Sequence, residues 1–185
     1  PPNLGTEQTP AFAQFFAGTT VTDTIRITPL LTPDPGVYAN AVKALIGSAR
    51  RTLCMQFQYI ELPRQVDPTS QAFADLVQAV VDRQAADVVV RIIMSEYEKT
   101  GYLEQLQAAG LDVVHNVRIQ KNVHNKGIVV DGESVLISSQ NWSTDGTLYN
   151  RDAGVIIENE DAAAYFQRIF DHDWDHLAKQ QAEPD

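Results

Sequence analysis

VHNKGIVVDGESVLISSQN, residues 123–141, sets a histidine and a lysine two positions apart, then Asp131-Gly132, then a serine and an asparagine two positions apart. Alternate side chains of an extended strand point to the same face, so His124 projects with Lys126, and Ser139 with Asn141. An Asp-Gly pair between apolar runs is the strongest short-range signal for a two-residue type I′ hairpin loop. Such a loop pairs Val130 with Glu133 and sets Lys126 opposite Ile137 and His124 opposite Ser139. All four polar side chains then share one face near the open end. Loop length decides the outcome, because one extra residue sends the second pair to the other face.

An imidazole, an ammonium, a hydroxyl and an amide on one face suit a tetrahedral phosphoryl group. The imidazole acts as nucleophile or acid, and the other three hold the oxyanion. The same alternation also fits a central buried hairpin, with Ile128, Val130, Val135 and Ile137 packed inward, and periodicity alone does not separate the two. At this point the residues resemble the phospholipase D superfamily, whose signature reads His-x-Lys, four residues, Asp, six residues, Gly-Ser-x-Asn. The matching positions are His124, Lys126, Asp131, Ser139 and Asn141, with Ser138 in place of the glycine. Asn150-Arg151-Asp152 stands where such families often carry Asn-x-Glu, with a shorter acid. The resemblance runs from about Ile27 to Trp174.

That resemblance implies metal-independent cleavage or transfer of a phosphodiester, with no cofactor. One motif's histidine attacks phosphorus to give a phosphohistidine while its counterpart protonates the leaving oxygen. It assigns catalysis to His124, Lys126, Asn141 and Asp152, and substrate binding to Lys126, Ser139 and Asn141. Asp152 is expected to fix the tautomer of a catalytic imidazole across an interface, or else to be an ordinary partner of Arg151. Asp131 is expected to be structural, because an aspartate in a turn caps backbone groups. Family members use two motifs around one site, and only one His-x-Lys pair is present here. A second such domain is therefore expected, either a homodimer mate or the other half of a parent chain. The start at Pro1-Pro2 points to a piece of a longer protein, a C-terminal half, and a secreted bacterial-type parent is one possibility the sequence leaves open.

The 185 residues suit one domain, and 44 % hydrophobic with 21 % charged residues is the composition of an ordinary globule. Arg91 interrupts the best candidate for a membrane span, and no signal peptide is visible. A net charge of −10 disfavours a broad nucleic-acid surface, so a phospholipid is the favoured substrate. A nuclease of the same chemistry needs a basic cleft, for which Arg50, Arg51, Arg64, Lys99, Arg118 and Lys121 are the candidates. A non-catalytic phosphate-binding half is the other alternative, motivated by Ser138 and Asp152. The one cysteine, Cys54, sits in an apolar stretch and reads as a buried thiol.

Residues 1–21, rich in Pro, Gly, Thr and Gln, read as a linker or arm, 22–180 as the domain, and 181–185 as a tail. Thr22 to Leu31 is expected as a first strand, then a helix capped by Asp34 with Pro35 at its first position. Thr52 to Ile60 reads as a strand, Ser70 starts a second helix, and Asp87 to Met94 is a strand covered on both faces. A third helix, Thr100 to Ala109, stops at Gly110, and Leu111 to His115 reads as a short strand. After the hairpin come a strand from Ala153 to Glu158 and a helix from Asp161 to Leu177. The whole reads as an α/β fold, a mixed sheet of about seven strands sandwiched between helices, as the resemblance also implies. Gln56 and Gln58 share a strand face and line a cleft or else are satisfied buried amides. His172 and His176, four apart among Asp171, Asp173 and Asp175, read as the polar side of the last helix, since two histidines make an incomplete metal site. His115 has no evident partner.

Overall fold

The computed structural model describes residues 16–95 and 101–180. Most of the expected arm, Lys99, Thr100 and the 181–185 tail lie outside them. The chain runs β1 (Arg26–Leu31), α1 (Val37–Ser48), β2 (Thr52–Phe57), β3 (Ile60–Glu61), α2 (Gln71–Ala85), β4 (Val89–Ser95) and α3 (Tyr102–Ala108). It continues with α4 (Val113–Asn116), β5 (Val117–Gln120), β6 (Lys126–Val130), β7 (Ser134–Ser138), β8 (Trp142–Ser143) and a π-helical turn (Asp145–Tyr149). β9 (Ala153–Glu158), α5 (Glu160–His172), a second π-turn (Asp173–Leu177) and β10 (Lys179–Gln180) complete it.

Eight strands form one mixed sheet in the order β1-β9-β7-β6-β2-β4-β5-β10, of which the last is only two residues long. β2, β4 and β5 are parallel, and the hairpin β6–β7 joins them antiparallel to β2. Alternation divides the core. Leu53, Met55 and Phe57 of β2 and Ile128 and Val130 of β6 pack with α1, α2 and α3 on one face. Cys54 and Val129 point the other way, into a smaller cluster with Ala163, Phe170 and Trp174. Each such fully buried side chain contributes about 1.5–3 kcal/mol relative to exposure. Burial pushes the Cys54 thiol up to about 11, so it packs as a small apolar group.

The helices form where apolar residues recur at helical spacing. In α1 these are Tyr38, Val42, Leu45 and Ile46, and in α2 Phe73, Leu76, Val77 and Val80. α5 begins at Asn159, whose Oδ1 accepts from Ala162 N at 2.9 Å, with Glu160 and Asp161 beside the positive end of the helix.

Several boundaries differ from the sequence reading. The first strand starts at Arg26 rather than Thr22, and α1 is entered through Gly36, without a side-chain cap from Asp34. The strand expected over Thr52 to Ile60 is two, because the chain leaves the main sheet after Phe57 and pairs Ile60 with Trp142 in a separate small sheet. Leu111 to His115 is not a strand. Asp112 Oδ1 accepts from His115 N at 3.1 Å and Oδ2 lies 2.8 Å from His115 Nδ1, which closes one helical turn and gives His115 its partner.

Candidate active site

The hairpin register differs from the expected one. Asp131 and Gly132 do have positive φ, 55° and 71°, and Glu133 N donates to Val130 O at 2.9 Å, as a type I′ turn requires. The ladder, however, passes over Glu133 and starts by pairing Val130 with Ser134. Lys126 therefore falls opposite Ser138, not Ile137. Glu133 is held outside by Arg51, whose Nη2 lies 2.8 Å from its carboxylate. Asp131 fixes the same turn. Its Oδ1 accepts from Arg51 N at 2.8 Å and Thr52 N at 2.7 Å, and its Oδ2 from Arg50 N at 2.9 Å. Burial works against the Asp131 charge, but those backbone donors and the Arg51 cation outweigh it and hold its carboxyl below the usual range.

Parity alone would now send Ser139 and Asn141 away from Lys126, but the ladder ends at Ser138. Ser139 N still donates to Ala153 O at 3.0 Å, while Ala153 N donates to Ser139 Oγ at 3.1 Å. The hydroxyl thus makes the last rung, and it donates in turn to Asp152 Oδ1 at 2.7 Å. Asp152 is anchored through its backbone, which exchanges hydrogen bonds with Thr32 at 2.9 and 3.2 Å.

Lys126 opens β6 and is only 6 % exposed, although lysine is among the residues least often buried. Its Nζ donates to His124 O at 2.6 Å and lies 3.3 Å from His124 Nδ1. Removal from water lowers the lysine's pKa, and the nearby Asp152 charge partly restores it. His124 itself is exposed, one position from the buried Val123. An exposed imidazole, a buried ammonium, a hydroxyl and a carboxylate are thereby gathered at the carboxyl ends of β2, β4 and β5, where ligands of open α/β sheets bind.

Asn141 stands apart from these hydrogen bonds. Its Oδ1 is buried without a donor, and its position is set from both sides. The next residue, Trp142, is 1 % exposed, packs against Phe57 with ring centroids 4.9 Å apart, and donates to Tyr38 Oη at 3.2 Å. Gly146 presses on the Asn141 carbonyl so closely that a Cβ there would lie 2.2 Å from the oxygen. Trp142, Thr32 and Gly146 escaped the sequence reading, although Trp142 and Gly146 sit within five residues of Asn141 and could have been flagged by that proximity.

Several of the remaining singled-out residues have structural partners. Gln56 is a buried amide bonded to Asn125, Gln120 and Asp173. Arg151 lies 3.8 Å from Asp34, and Asp152 bonds to Ser139. Asp171 accepts from Gln167 at 3.0 Å and faces Arg91 at 3.5 Å. The His172 and His176 ring centroids lie 4.8 Å apart with the planes tilted by 55°, and among the described residues no group of three or more His, Cys, Asp or Glu is placed to hold a metal. Of the candidate cations among the described residues, Lys121 opens the loop that carries His124, and the arginines are spread over the domain. Arg50 and Arg51 flank the Asp131 turn, Arg118 lies over the Trp174 ring at 4.3 Å, and Arg64 lines a cleft with Tyr59 and Asn150. No helix among the described residues is long and apolar enough to cross a membrane.

A helix-covered mixed sheet of this kind is the fold of a class of phosphodiesterases. Residues 42–174 match the family model described as cardiolipin synthase, PLD-like domain, and the chain belongs to that phospholipase D-like family. It is 25 % identical over 104 residues to the mitochondrial cardiolipin hydrolase of Danio rerio, a match covering 55 % of this chain and 46 % of that protein. Nuc of Salmonella typhimurium, a phospholipase D family member, superimposes with a TM-score of 0.68 at 22 % identity, covering 86 % of this chain and 99 % of Nuc. NucT of Helicobacter pylori follows with a TM-score of 0.64 at 12 % identity, over 83 % of this chain and 98 % of NucT. At these identities the two structures establish a shared fold.

Proposed function

We propose that this chain is one catalytic half of a metal-independent phosphodiesterase of the phospholipase D type, acting through a phosphohistidine with a phospholipid as the favoured substrate. The observation that carries the reading is the buried Lys126 ammonium held against the exposed His124 imidazole. In this reaction a histidine Nε2 bonds to phosphorus as the bond to the leaving alcohol breaks. The histidine of a second motif supplies that alcohol's proton. Water then attacks phosphorus, the N–P bond breaks, and water's proton returns to the second histidine. Lys126 and Asn141 hold the non-bridging oxygens, and Ser139 supports them. The second motif comes from a dimer mate or from the rest of a longer polypeptide.

The proton on His124 decides its role. A charged Lys126 can only donate, so at Nδ1 it leaves the neutral ring's proton on Nε2, which then has no lone pair with which to attack phosphorus, and the ring becomes an acid for a leaving oxygen only once both nitrogens are protonated. A carboxylate at Nδ1 reverses the tautomer and makes Nε2 the nucleophile. The net charge of −10 and the dispersed arginines support a phospholipid over a nucleic acid.

The test is hydrolysis of phospholipid vesicles, a single-stranded oligonucleotide and bis(p-nitrophenyl) phosphate by the protein and by His124→Ala. Loss of turnover in a folded variant, with vesicles the preferred substrate, is the expected result. Undiminished turnover by His124→Ala would refute the mechanism. One observation favours a second reading, a non-catalytic half that binds phosphate. Asp152 bonds to Ser139 within the chain, and that contact engages the carboxylate expected to orient an imidazole. Phosphate binding without turnover in the full-length parent would support it.

A further inference from the structure

The residues 121–125 join β5 to β6 and carry His124 outside any ladder. Side chains anchor them instead. Val123, 4 % exposed, packs into the core on the α5 side of the sheet. Asn125 donates through Nδ2 to Gln56 Oε1 at 2.6 Å. Gln56 lies on the central strand β2, 6 % exposed, and its Nε2 donates to Asp173 Oδ2 at 2.9 Å and to Gln120 Oε1 at 3.3 Å. A single buried amide thus binds the last residue of β5, the residue between His124 and Lys126, and the π-turn that follows α5. Val123 and Asn125 are held on the α5 side by these contacts, while His124 is exposed and meets Lys126 Nζ. The loop is pulled down by its odd residues and presents its even ones.

The bonds are directional. Gln56 uses both of its N–H groups and its oxygen, and reversing the amide would set Oε1 against the Asp173 carboxylate and NH2 against NH2 at Asn125. One orientation alone satisfies every partner, and a satisfied buried polar network specifies position tightly.

We propose that Gln56, with Asn125 and Asp173, is a positioning relay that fixes the 121–125 loop and aims His124 at the reacting phosphodiester. The relay rests on the reading of His124 as the reacting group, and all three residues act through the loop without touching substrate. Metal and catalytic histidine ligands depend on outer partners in the same way, and losing such a partner typically lowers activity about 10–100-fold.

Gln56→Met keeps the side chain's length and removes its hydrogen bonds, Asn125→Ala removes one bond from an exposed residue, and Asp173→Asn keeps an acceptor. With bis(p-nitrophenyl) phosphate, the first two are expected to lower kcat about 10–100-fold with little change in KM. Asp173→Asn is expected to stay within about threefold. The 15N spectrum of the His124 ring is read in parallel and needs no turnover. Its signals should move in Gln56→Met and Asn125→Ala and hold in Asp173→Asn. A merely structural role would lower the melting temperature of Gln56→Met and leave kcat of the folded enzyme intact. The relay is overturned if Asn125→Ala retains wild-type kcat, or if the ring signals of all variants coincide with those of the wild type. Should His124→Ala keep full activity, the reacting role of His124 falls, and the ring spectra still decide whether the relay holds it.

Discussion

Replacing Asp131 by asparagine removes a charge from the turn that sets the hairpin register. The carboxylate takes three backbone donors at 2.7–2.9 Å, from Arg50, Arg51 and Thr52. Asparagine keeps one oxygen for Arg51 and Thr52 but turns an NH2 toward the Arg50 N–H. One charge-assisted bond is lost, each of which is worth about 1.5–3 kcal/mol, and two weaken to neutral strength. Partial exposure lets water replace some of this, so about 2 kcal/mol is the expected loss. In urea that moves the unfolding midpoint by about 1 M for a slope near 2 kcal/mol/M. Because the folded carboxyl is held below its unfolded value, the contribution is complete above about pH 4 and fades as pH falls through the folded pKa. The gap between wild type and Asp131→Asn should therefore be constant from pH 7 to pH 5 and narrow on further acidification. Equal midpoints at pH 7, or a gap indifferent to acid, would show that the charge does not hold the turn.

Lys126→Met should lower kcat about 10²–10³-fold, the usual effect of removing one oxyanion partner, while thermal unfolding shows stability unchanged or raised because a desolvated ammonium is gone. A lowered Lys126 pKa also predicts an alkaline limb of the activity profile below the ordinary lysine range of about 10.4, visible in a pH–rate series. Gly146→Ala sets a Cβ 2.2 Å from the Asn141 oxygen, so the π-turn must shift, with about 1–3 kcal/mol lost in denaturant titration and phosphate binding weakened. Ser139→Ala removes the last rung and the Asp152 bond, with about 1 kcal/mol lost and a smaller fall in kcat than for Lys126→Met.

The layered sheet was readable because nearly every strand alternates or runs apolar and each helix repeats at its own period. What escaped was decided by contacts between distant residues. Glu133 leaves the ladder because Arg51, eighty-odd positions earlier, reaches its carboxylate. Val113-Val114 favours a strand by propensity, and the Asp112 cap overrides it to make a helical turn. Gln56 was readable as a satisfied amide, but its partners Asn125 and Asp173 lie 69 and 117 positions away. No local pattern encodes such pairings.

The slipped register raises the question of how Ser139 and Asp152 still come to Lys126. All of them lie where the period-two rule lapses. Lys126 is the first residue of β6, Ser139 the first past β7, and Asp152 the last before β9. At such positions a side chain can take over a backbone rung, as Ser139 Oγ does for Ala153 N, and the chain turns without losing a hydrogen bond. Register then governs which apolar residues fill each core, while the polar cluster is governed by how each strand ends. This separation explains how a signature spaced along a hairpin can persist with one residue bulged from the turn. It also predicts that moving the Asp131 turn would disturb packing first. Removing the Ser139 hydroxyl would disturb the site first.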